Sequence, residues 1–489
     1  MDKRQVNLSV HQWVETLLPM GDLAVGGSVE RMAEGSRAHR IRQRSAGPQY
    51  QSEIPIQYTV EGAYTTLHIS GRIDGLIPEA DMLFVEEIKT VAQPPAADDE
   101  GHPQHWAQGM FYAAVYCLQH GLEHIGVRLA RLQLPQLHLF AQEKRFSHEE
   151  IVSWLTTSCQ SVLAVLDQES ERLFRRNASL ASLRFPYGAY RPGQREMAAV
   201  IYRAQRDGQC ALIEAPTGIG KTVAALFPSL KALGLGYGER IFYLAARTPI
   251  KTVAQQSVDL LRQAGAGIRS LTITAKEKCC PTPGTPCHPA FCPRAAGFFS
   301  RLPRAMAQAP GNGHLGPEEI AALADKHTLC PFELSLSLSE ISDVIICDYN
   351  YIYDPRVHLR RFFDQGGDHL VLVDEAHNLV DRAREMFSAE LGLPQLSALR
   401  KALPRGQVSQ PISDLRDALK ALQRVLGELQ QELTQAGRQA QLLEGAPHGV
   451  VEAAEDLMSA AQPLLDHSSR DAYAPPLWDL YFACRNFAA

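Results

Sequence analysis

Ala215-Pro216-Thr217-Gly218-Ile219-Gly220-Lys221-Thr222 decides how this chain is read. The apolar run before it, Cys210-Ala211-Leu212-Ile213, reads as a buried strand, and Val223-Ala224-Ala225-Leu226 after it reads as the start of a helix. Strand, glycine loop, Gly-Lys-Thr and helix is the context in which a phosphate loop works. Gly218 and Gly220 let backbone N–H groups wrap phosphates, and the helix N-terminus adds a favourable dipole. In that role Lys221 reaches the β- and γ-phosphates of ATP and Thr222 ligates Mg²⁺. His369-Leu370-Val371-Leu372-Val373 reads as another buried strand, and it ends in Asp374-Glu375-Ala376-His377. There Asp374 can hold the same Mg²⁺ and Glu375 can orient the attacking water.

Working outward, 489 residues hold about three domains. The 45% hydrophobic content is ordinary for a globular protein, and the net charge of -6 leaves any nucleic-acid contact to local basic patches. The N-terminus has no apolar signal core, and no stretch reaches the ~18 apolar residues of a membrane span, so a cytoplasmic location is expected. Ten cysteines in that compartment do not read as disulfides, and five of them fall between Cys279 and Cys330.

Cys280, Cys287, Cys292 and Cys330 follow the pattern C-x6-C-x4-C-x37-C, with Cys279 able to replace Cys280. Four thiolates can hold zinc or an iron–sulfur cluster. Zinc ribbons use paired CxxC knuckles, which are absent, and irregular spacing among prolines fits a cubane better. Buried free thiols are the plain alternative, but four gathered in a Pro/Gly-rich insertion fit that poorly.

These segments resemble the iron–sulfur helicases of the XPD/DinG type in superfamily 2. The resemblance rests on Thr274 through Cys280, Cys287-His288-Pro289-Ala290-Phe291-Cys292-Pro293 and Cys330-Pro331-Phe332-Glu333-Leu334. Cys347-Asp348-Tyr349-Asn350-Tyr351, Asp374 through Leu379, Arg191-Pro192-Gly193-Gln194 and Tyr243 through Thr248 add to it. It implies a [4Fe-4S] cluster domain inserted in a RecA-like domain, with Gln194 reading adenine. It also implies ATP-driven translocation on single-stranded or forked DNA, and a helical arch after the DEAH box. The residues after His377 are too few for an arch plus a second RecA-like domain, so the sequence is expected to be the N-terminal part of such a protein. Leu415, Leu419, Leu422, Leu426, Leu429 and Leu433 form a heptad seam, read as a hairpin within the chain and not as an oligomer interface. A monomer is expected.

The N-terminal third carries different chemistry. Thr65 to Asp74 alternates, with Leu67, Ile69, Gly71 and Ile73 on one face, and reads with Met82 to Lys89 as a hairpin around Pro78-Glu79-Ala80-Asp81. Residues two apart on a strand share a face, so Glu87 and Lys89 point together. With Asp74 opposite, two carboxylates and an ammonium converge. Such a set can bind Mg²⁺ or Mn²⁺, generate hydroxide and stabilise an attacked phosphate. An edge strand with a surface ion pair is the plain alternative. The arrangement resembles the RecB-like PD-(D/E)XK nucleases. His39 matches their extra metal ligand, and Gln108 and Tyr112, on one helix face, match their substrate-holding Q-x3-Y motif. The basic run Arg37, Arg40, Arg42 and Arg44 adjoins His39 and could hold a DNA backbone.

The resulting expectation is an α/β chain. It comprises a PD-(D/E)XK nuclease-like domain (1–145), a helical connector (146–183), and a RecA-like P-loop domain (184–273 and 336–392) interrupted by an iron–sulfur domain (274–335). An incomplete helical arch segment (393–489) follows. The expected function is an ATP-dependent DNA helicase fused to a metal-dependent DNA nuclease, acting in DNA repair or processing. The alternative is a DNA-binding module with a degenerate nuclease site and no motor activity.

Overall fold

The structure, a computed structural model, describes residues 3–23, 29–79, 81–96, 98–285, 287–364, 366–406, 408–465 and 471–488. Residues 1–347 with 367–374 form one compact unit, and residues 348–366 with 375–489 form another.

The first unit opens with β1 (Arg4–Ser9), α1 (Val10–Leu17), α2 (Val29–Ser45), β2 (Gln51–Glu61), β3 (Thr65–Pro78) and β4 (Leu83–Val91). It continues with α3 (Pro103–His120), β5 (His124–Gln133), β6 (His138–Ser147) and α4 (His148–Ser182). The strands run β1-β3-β4-β5-β6, with β2 on the other edge of β3. The sequence alternation is realised: Leu67, Ile69 and Ile73 are buried with Trp13, Phe111 and Leu155 in one core. On the opposite face Ala38 of α2 packs with Ile88, Ala130 and Leu132. The expected hairpin is present, closed by Glu79 N–H donating to Met82 O at 2.9 Å. β3 changes partner along its length. Residues 65–70 pair in parallel with β1 and residues 75–78 pair antiparallel with β4. Asp74 therefore lies in a fork, where β3 has left one neighbour and not yet joined the next.

A second sheet of β7 (Arg240–Leu244), β8 (Arg269–Thr272), β9 (Gly313–Leu315), β10 (Val344–Cys347) and β11 (His369–Val373) runs β11-β7-β10-β8-β9, with every pairing parallel. Helices α5 (Gln194–Arg206), α6 (Lys221–Gly234) and α7 (Thr248–Gln263) belong to this part. The cysteine-rich insertion between β8 and β10 adds α8 (Lys276–Cys279), α9 (Phe298–Gln308), α10 (Pro317–His327) and α11 (Pro331–Ser339). Two expectations fail here. Cys210–Ile213 is not a buried strand: it lies outside any sheet, and Leu212 is 92% exposed. Likewise β11 is only partly buried, with Val371 37% exposed at the sheet edge.

Helix α4 is more than a connector. A capping box of Ser147 and Glu150 starts it. Ile151, Leu155, Cys159 and Val162 belong to the first core, while Leu180 belongs to the second. Polar residues between these halves meet one buried carboxylate. Asp343, just before β10, accepts from Arg176 Nη1 at 2.7 Å, Arg172 Nη1 at 2.9 Å and Arg269 N at 2.8 Å. Burial alone would raise the Asp343 pKa, but Arg176 and Arg172 outweigh it and hold the group below the ordinary carboxylate value.

The second unit is helical: α12 (Asn350–Tyr353), α13 (Arg360–Phe363), α14 (Leu379–Met386), α15 (Leu393–Ala402), α16 (Gln410–Gln435), α17 (Val450–Leu465) and α18 (Ala474–Ala488). Leu415, Leu419 and Leu422 of the heptad seam are buried with Leu457 of α17 and Leu477 of α18, so the seam is used inside the chain.

Removing one partner of a buried ion pair strands the other charge. Asp343→Asn is expected to destabilise the chain by about 3 kcal/mol in urea denaturation. A loss below about 1 kcal/mol would mean the arginines behave as surface pairs.

Candidate active sites

The fork in β3 brings several of the expected residues together. Asp74 Oδ2 accepts from Ile88 N at 2.8 Å, and Asp74 Oδ1 lies 3.8 Å from His39 Nδ1. On β4 itself, Lys89 Nζ stands 2.6 Å from Glu87 Oε1 and donates to Gln108 Oε1 at 3.2 Å. Glu87 is 1% exposed, and Lys89 is the one donor its carboxylate meets among the described residues, which leaves Oε2 without a partner. Burial pushes the Glu87 pKa up to about 8, with Lys89 opposing and the Asp74 charge reinforcing the shift. The Asp74 pKa is also raised by burial, against the Ile88 N–H and His39. A buried carboxylate with an unpartnered oxygen beside a second carboxylate is the donor set that a hard divalent cation satisfies. Among the described residues, however, no group of three His, Cys, Asp or Glu is gathered in cation-binding geometry.

Tyr112 is 4% exposed, and a side chain at Gly71 would come within 2.7 Å of its hydroxyl. Burial raises its pKa, the Glu87 charge adds to this, and a hydrogen bond with Gln108 opposes it. The structure thus places Tyr112 behind Gln108, which itself meets Lys89. The basic run divides as well. Arg37, Arg40 and Arg44 are exposed, but Arg42 is committed to Glu86, with Nη2–Oε1 at 2.7 Å and Nε–Oε2 at 3.2 Å. Sequence reading missed this partner because Glu86 reads as one more strand residue beside Glu87.

In the second sheet, α6 starts at Lys221, and the loop before it needs its glycines: Gly218 has φ 84° and Gly220 φ 82°. Arg191 Nη1 donates to Gly218 O at 2.5 Å, and Gln194 Nε2 donates to Gly220 O at 3.4 Å. Gln194 is 2% exposed and also accepts from Arg191 N at 3.0 Å, so these two residues brace the loop. Thr222 follows Lys221 in the first turn of α6. Asp374 leaves β11 with its N–H on Leu244 O, and its Oδ2 accepts from Tyr243 OH at 2.6 Å. Tyr243 reads in sequence as an ordinary strand residue, and only the register of β7 with β11 reveals its role. In the helical unit Glu375 adopts φ 51°, and its carbonyl accepts from Tyr349 OH and Asn378 Nδ2. A non-glycine residue held left-handed stores strain of the kind found at functional sites.

The cysteines of the insertion gather loosely. Cys330 caps α11; burial raises its thiol pKa, while the N–H groups of Glu333 and Phe332 oppose the shift. Lys276 lies beside Cys287 and Cys330. Burial acts to lower its pKa, but the hydrogen bond and charge of Cys287 raise it on balance. Burial lifts Cys279 to about 11, with Cys330 and Cys280 adding to this. Cys292 is buried. An ammonium and a helix N-terminus beside these thiols are the setting thiolate ligands need. The insertion is also held to the N-terminal part of its unit: Asp22 Oδ1 accepts from Gly297 N at 2.6 Å, and Leu23 N donates to Ala295 O at 2.9 Å.

Residues 191–279 match the DEAD/DEAH box helicase family and residues 263–396 match the family described as DEAD_2. The chain is 35% identical over 86 residues to the Fanconi anemia group J protein homolog of Gallus gallus, covering 18% of this chain and 7% of that protein. It is 24% identical over 257 residues to the regulator of telomere elongation helicase 1 of Homo sapiens, covering 42% of this chain and 21% of that protein. A solved structure titled XPD helicase aligns with 62% of this chain and 51% of its own, at 17% identity and a TM-score of 0.39. Residues 191–396 are thus a helicase-type region, and the chain spans a minor part of the curated relatives it matches.

Glu87 generates a stability prediction. In metal-free protein its pKa moves from 4.5 to about 8 on folding. Its stabilising contribution is complete below the unfolded value and lost as pH rises through the folded one. Metal-free Glu87→Gln should therefore lose less stability than wild type between about pH 5 and about pH 9, and should melt higher at the upper end. Thermal melts across that range check this; parallel curves would mean that Glu87 titrates as an ordinary carboxylate.

Proposed function

We propose that this chain acts on DNA with two chemistries, an ATP-driven helicase motor and a metal-dependent nuclease, in DNA repair or processing. The motor reading is carried by the braced phosphate loop and the Tyr243-held Asp374 inside a region that matches helicase families. Lys221 and the N–H groups of the loop neutralise the phosphates of ATP, Thr222 and Asp374 hold Mg²⁺, and Glu375 orients the attacking water. Tyr243 fixes the direction of Asp374. Cys280, Cys287, Cys292 and Cys330 hold a [4Fe-4S] cluster, which cross-links an insertion rich in turns. Single-stranded and forked DNA are the partners, and the protein works as a monomer in the cytoplasm.

The nuclease reading is carried by the buried Glu87 carboxylate beside Asp74, paired with Lys89 through one oxygen and open at the other. His39, Asp74 and Glu87 would hold Mg²⁺ or Mn²⁺, which when bound supplies a hydroxide nucleophile and neutralises phosphate charge. Lys89 meets the attacked phosphate, Gln108 directs Lys89 and contributes to holding the substrate, and Tyr112 supports Gln108 from the core. Two observations favour an inert DNA-binding site instead: the 2.6 Å Lys89–Glu87 contact, from which a cation must draw Glu87 away, and the lack of three gathered ligating residues among the described ones.

Cleavage of end-labelled single-stranded DNA with Mn²⁺ separates the two readings. Wild type should cut and EDTA should stop it. Lys89→Ala should slow cleavage roughly 10²- to 10³-fold, the usual effect of losing one charge-stabilising donor. DNA binding without any cleavage would establish the inert reading. For the motor, Lys221→Ala should abolish Mg²⁺–ATP binding measured by fluorescent nucleotide titration and leave cleavage intact. For the cluster, anaerobically purified chain should hold about four iron atoms, and Cys287→Ser should lose them. Stoichiometric zinc without iron would overturn that assignment.

A further inference from the structure

We propose that Arg42, Glu86 and Tyr50 form a half-buried clamp that sets His39 over Asp74, so that Arg42 and Glu86 are positioning residues for the cation; this rests on the nuclease reading above. The need for a clamp is read from the described side chains of α2, those of residue 35 and residues 37–45. Among its described side chains only Ala38 is fully buried. One methyl against Ile88, Ala130 and Leu132 fixes neither the rotation of the helix nor its height along β4. Arg42 lies three residues after His39, on the same helix face. It reaches into the fold and meets Glu86 with two hydrogen bonds, a geometry that fixes direction as well as distance.

Glu86 is suited to be the fixed end. It is 0% exposed, and Tyr50 OH donates to its Oε2 at 2.9 Å. The opposing residue is Gly75, where any side chain would strike the Tyr50 ring. A second arm comes from the next residue of α2: Gln43 Nε2 donates to Asp74 O at 3.1 Å. One arm therefore ends beside a proposed cation ligand and the other on one. Glu86 is the chain neighbour of Glu87, and the Gln43 arm lands on Asp74 itself. Stability does not account for the clamp, because apolar residues of similar volume commonly hold such a position as well or better. What an apolar contact lacks is direction, and His39 needs direction to present a ring nitrogen beside Asp74.

The test measures Mn²⁺ binding to the full chain by electron paramagnetic resonance, with circular dichroism and melting to verify folding. Arg42→Met should weaken Mn²⁺ about 10- to 100-fold, as the loss of an outer partner of a ligand does elsewhere. Tyr50→Phe, which leaves the ion pair in place, should give a smaller loss and keeps the test alive if Arg42→Met fails to fold. The decisive readout is the cycle with His39→Ala. If the clamp acts through His39, adding Arg42→Met or Tyr50→Phe to His39→Ala costs no further affinity. Additive losses, or wild-type affinity in Arg42→Met and Tyr50→Phe, would overturn the clamp while leaving the nuclease reading standing. Wild type that neither binds Mn²⁺ nor cuts DNA would overturn both.

Discussion

The fold of the larger unit depends on one buried carboxylate. Asp343 is 1% exposed at the foot of β10, a central strand of the second sheet, and it remains charged only because α4 delivers Arg172 and Arg176 to it. Glu169 completes the set by pairing with Arg172 and Arg269. Such a cluster tolerates little displacement, since moving one arginine leaves a charge without solvent or partner. The same helix supplies apolar residues to both cores. Rotation of α4 about its axis is thereby fixed at both ends and in the middle, and residues 1–347 fall in one compact unit instead of two beads on a linker.

Within that frame the chemistry sits where backbone pairing stops. Asp74 lies in the gap of β3 between its pairing with β1 and its pairing with β4. Asp374 lies just past the last residue of β11, and the phosphate loop turns on two glycines of positive φ. Strand interiors spend their N–H and C=O groups on neighbours; strand ends leave them for ligands. The cost is that side chains there are not aligned by a ladder. Each needs its own brace: Tyr243 for Asp374, Arg191 and Gln194 for the loop, Ile88 N–H for Asp74.

The sequence was informative wherever meaning resides in neighbours along the chain. The alternation of Leu67, Ile69 and Ile73 predicts β3, the Glu87–Lys89 spacing predicts a shared face, and the glycine loop predicts its own turn. It was silent wherever meaning depends on a partner across the fold. Arg42 among Arg37, Arg40 and Arg44 looks like one more surface charge until Glu86 lies under it. Arg176, between Arg175 and Asn177, looks like one more solvated charge on a helix, yet within α4 it meets the buried Asp343. Composition cannot separate a solvated arginine from a buried one, because the difference lies entirely in the counterion.

The failed strand makes the same point from the apolar side. Cys210-Ala211-Leu212-Ile213 has the composition of a buried strand, yet it joins no sheet. Burial, however, is a property of a pair of surfaces. A parallel strand becomes fully buried only with a neighbour on each edge and a helix on each face. Val344–Cys347 meets that condition between β7 and β8 and is buried throughout. Among the described residues nothing pairs with Cys210–Ile213 or with the outer edge of β11, so Leu212 and Val371 stay exposed. The nucleotide loop is consequently anchored from its helix side, through α6, Arg191 and Gln194, and not through the segment that leads into it. That asymmetry explains why Gln194, an amide that could face a ligand, spends its hydrogen bonds on Gly220 and on Arg191 instead.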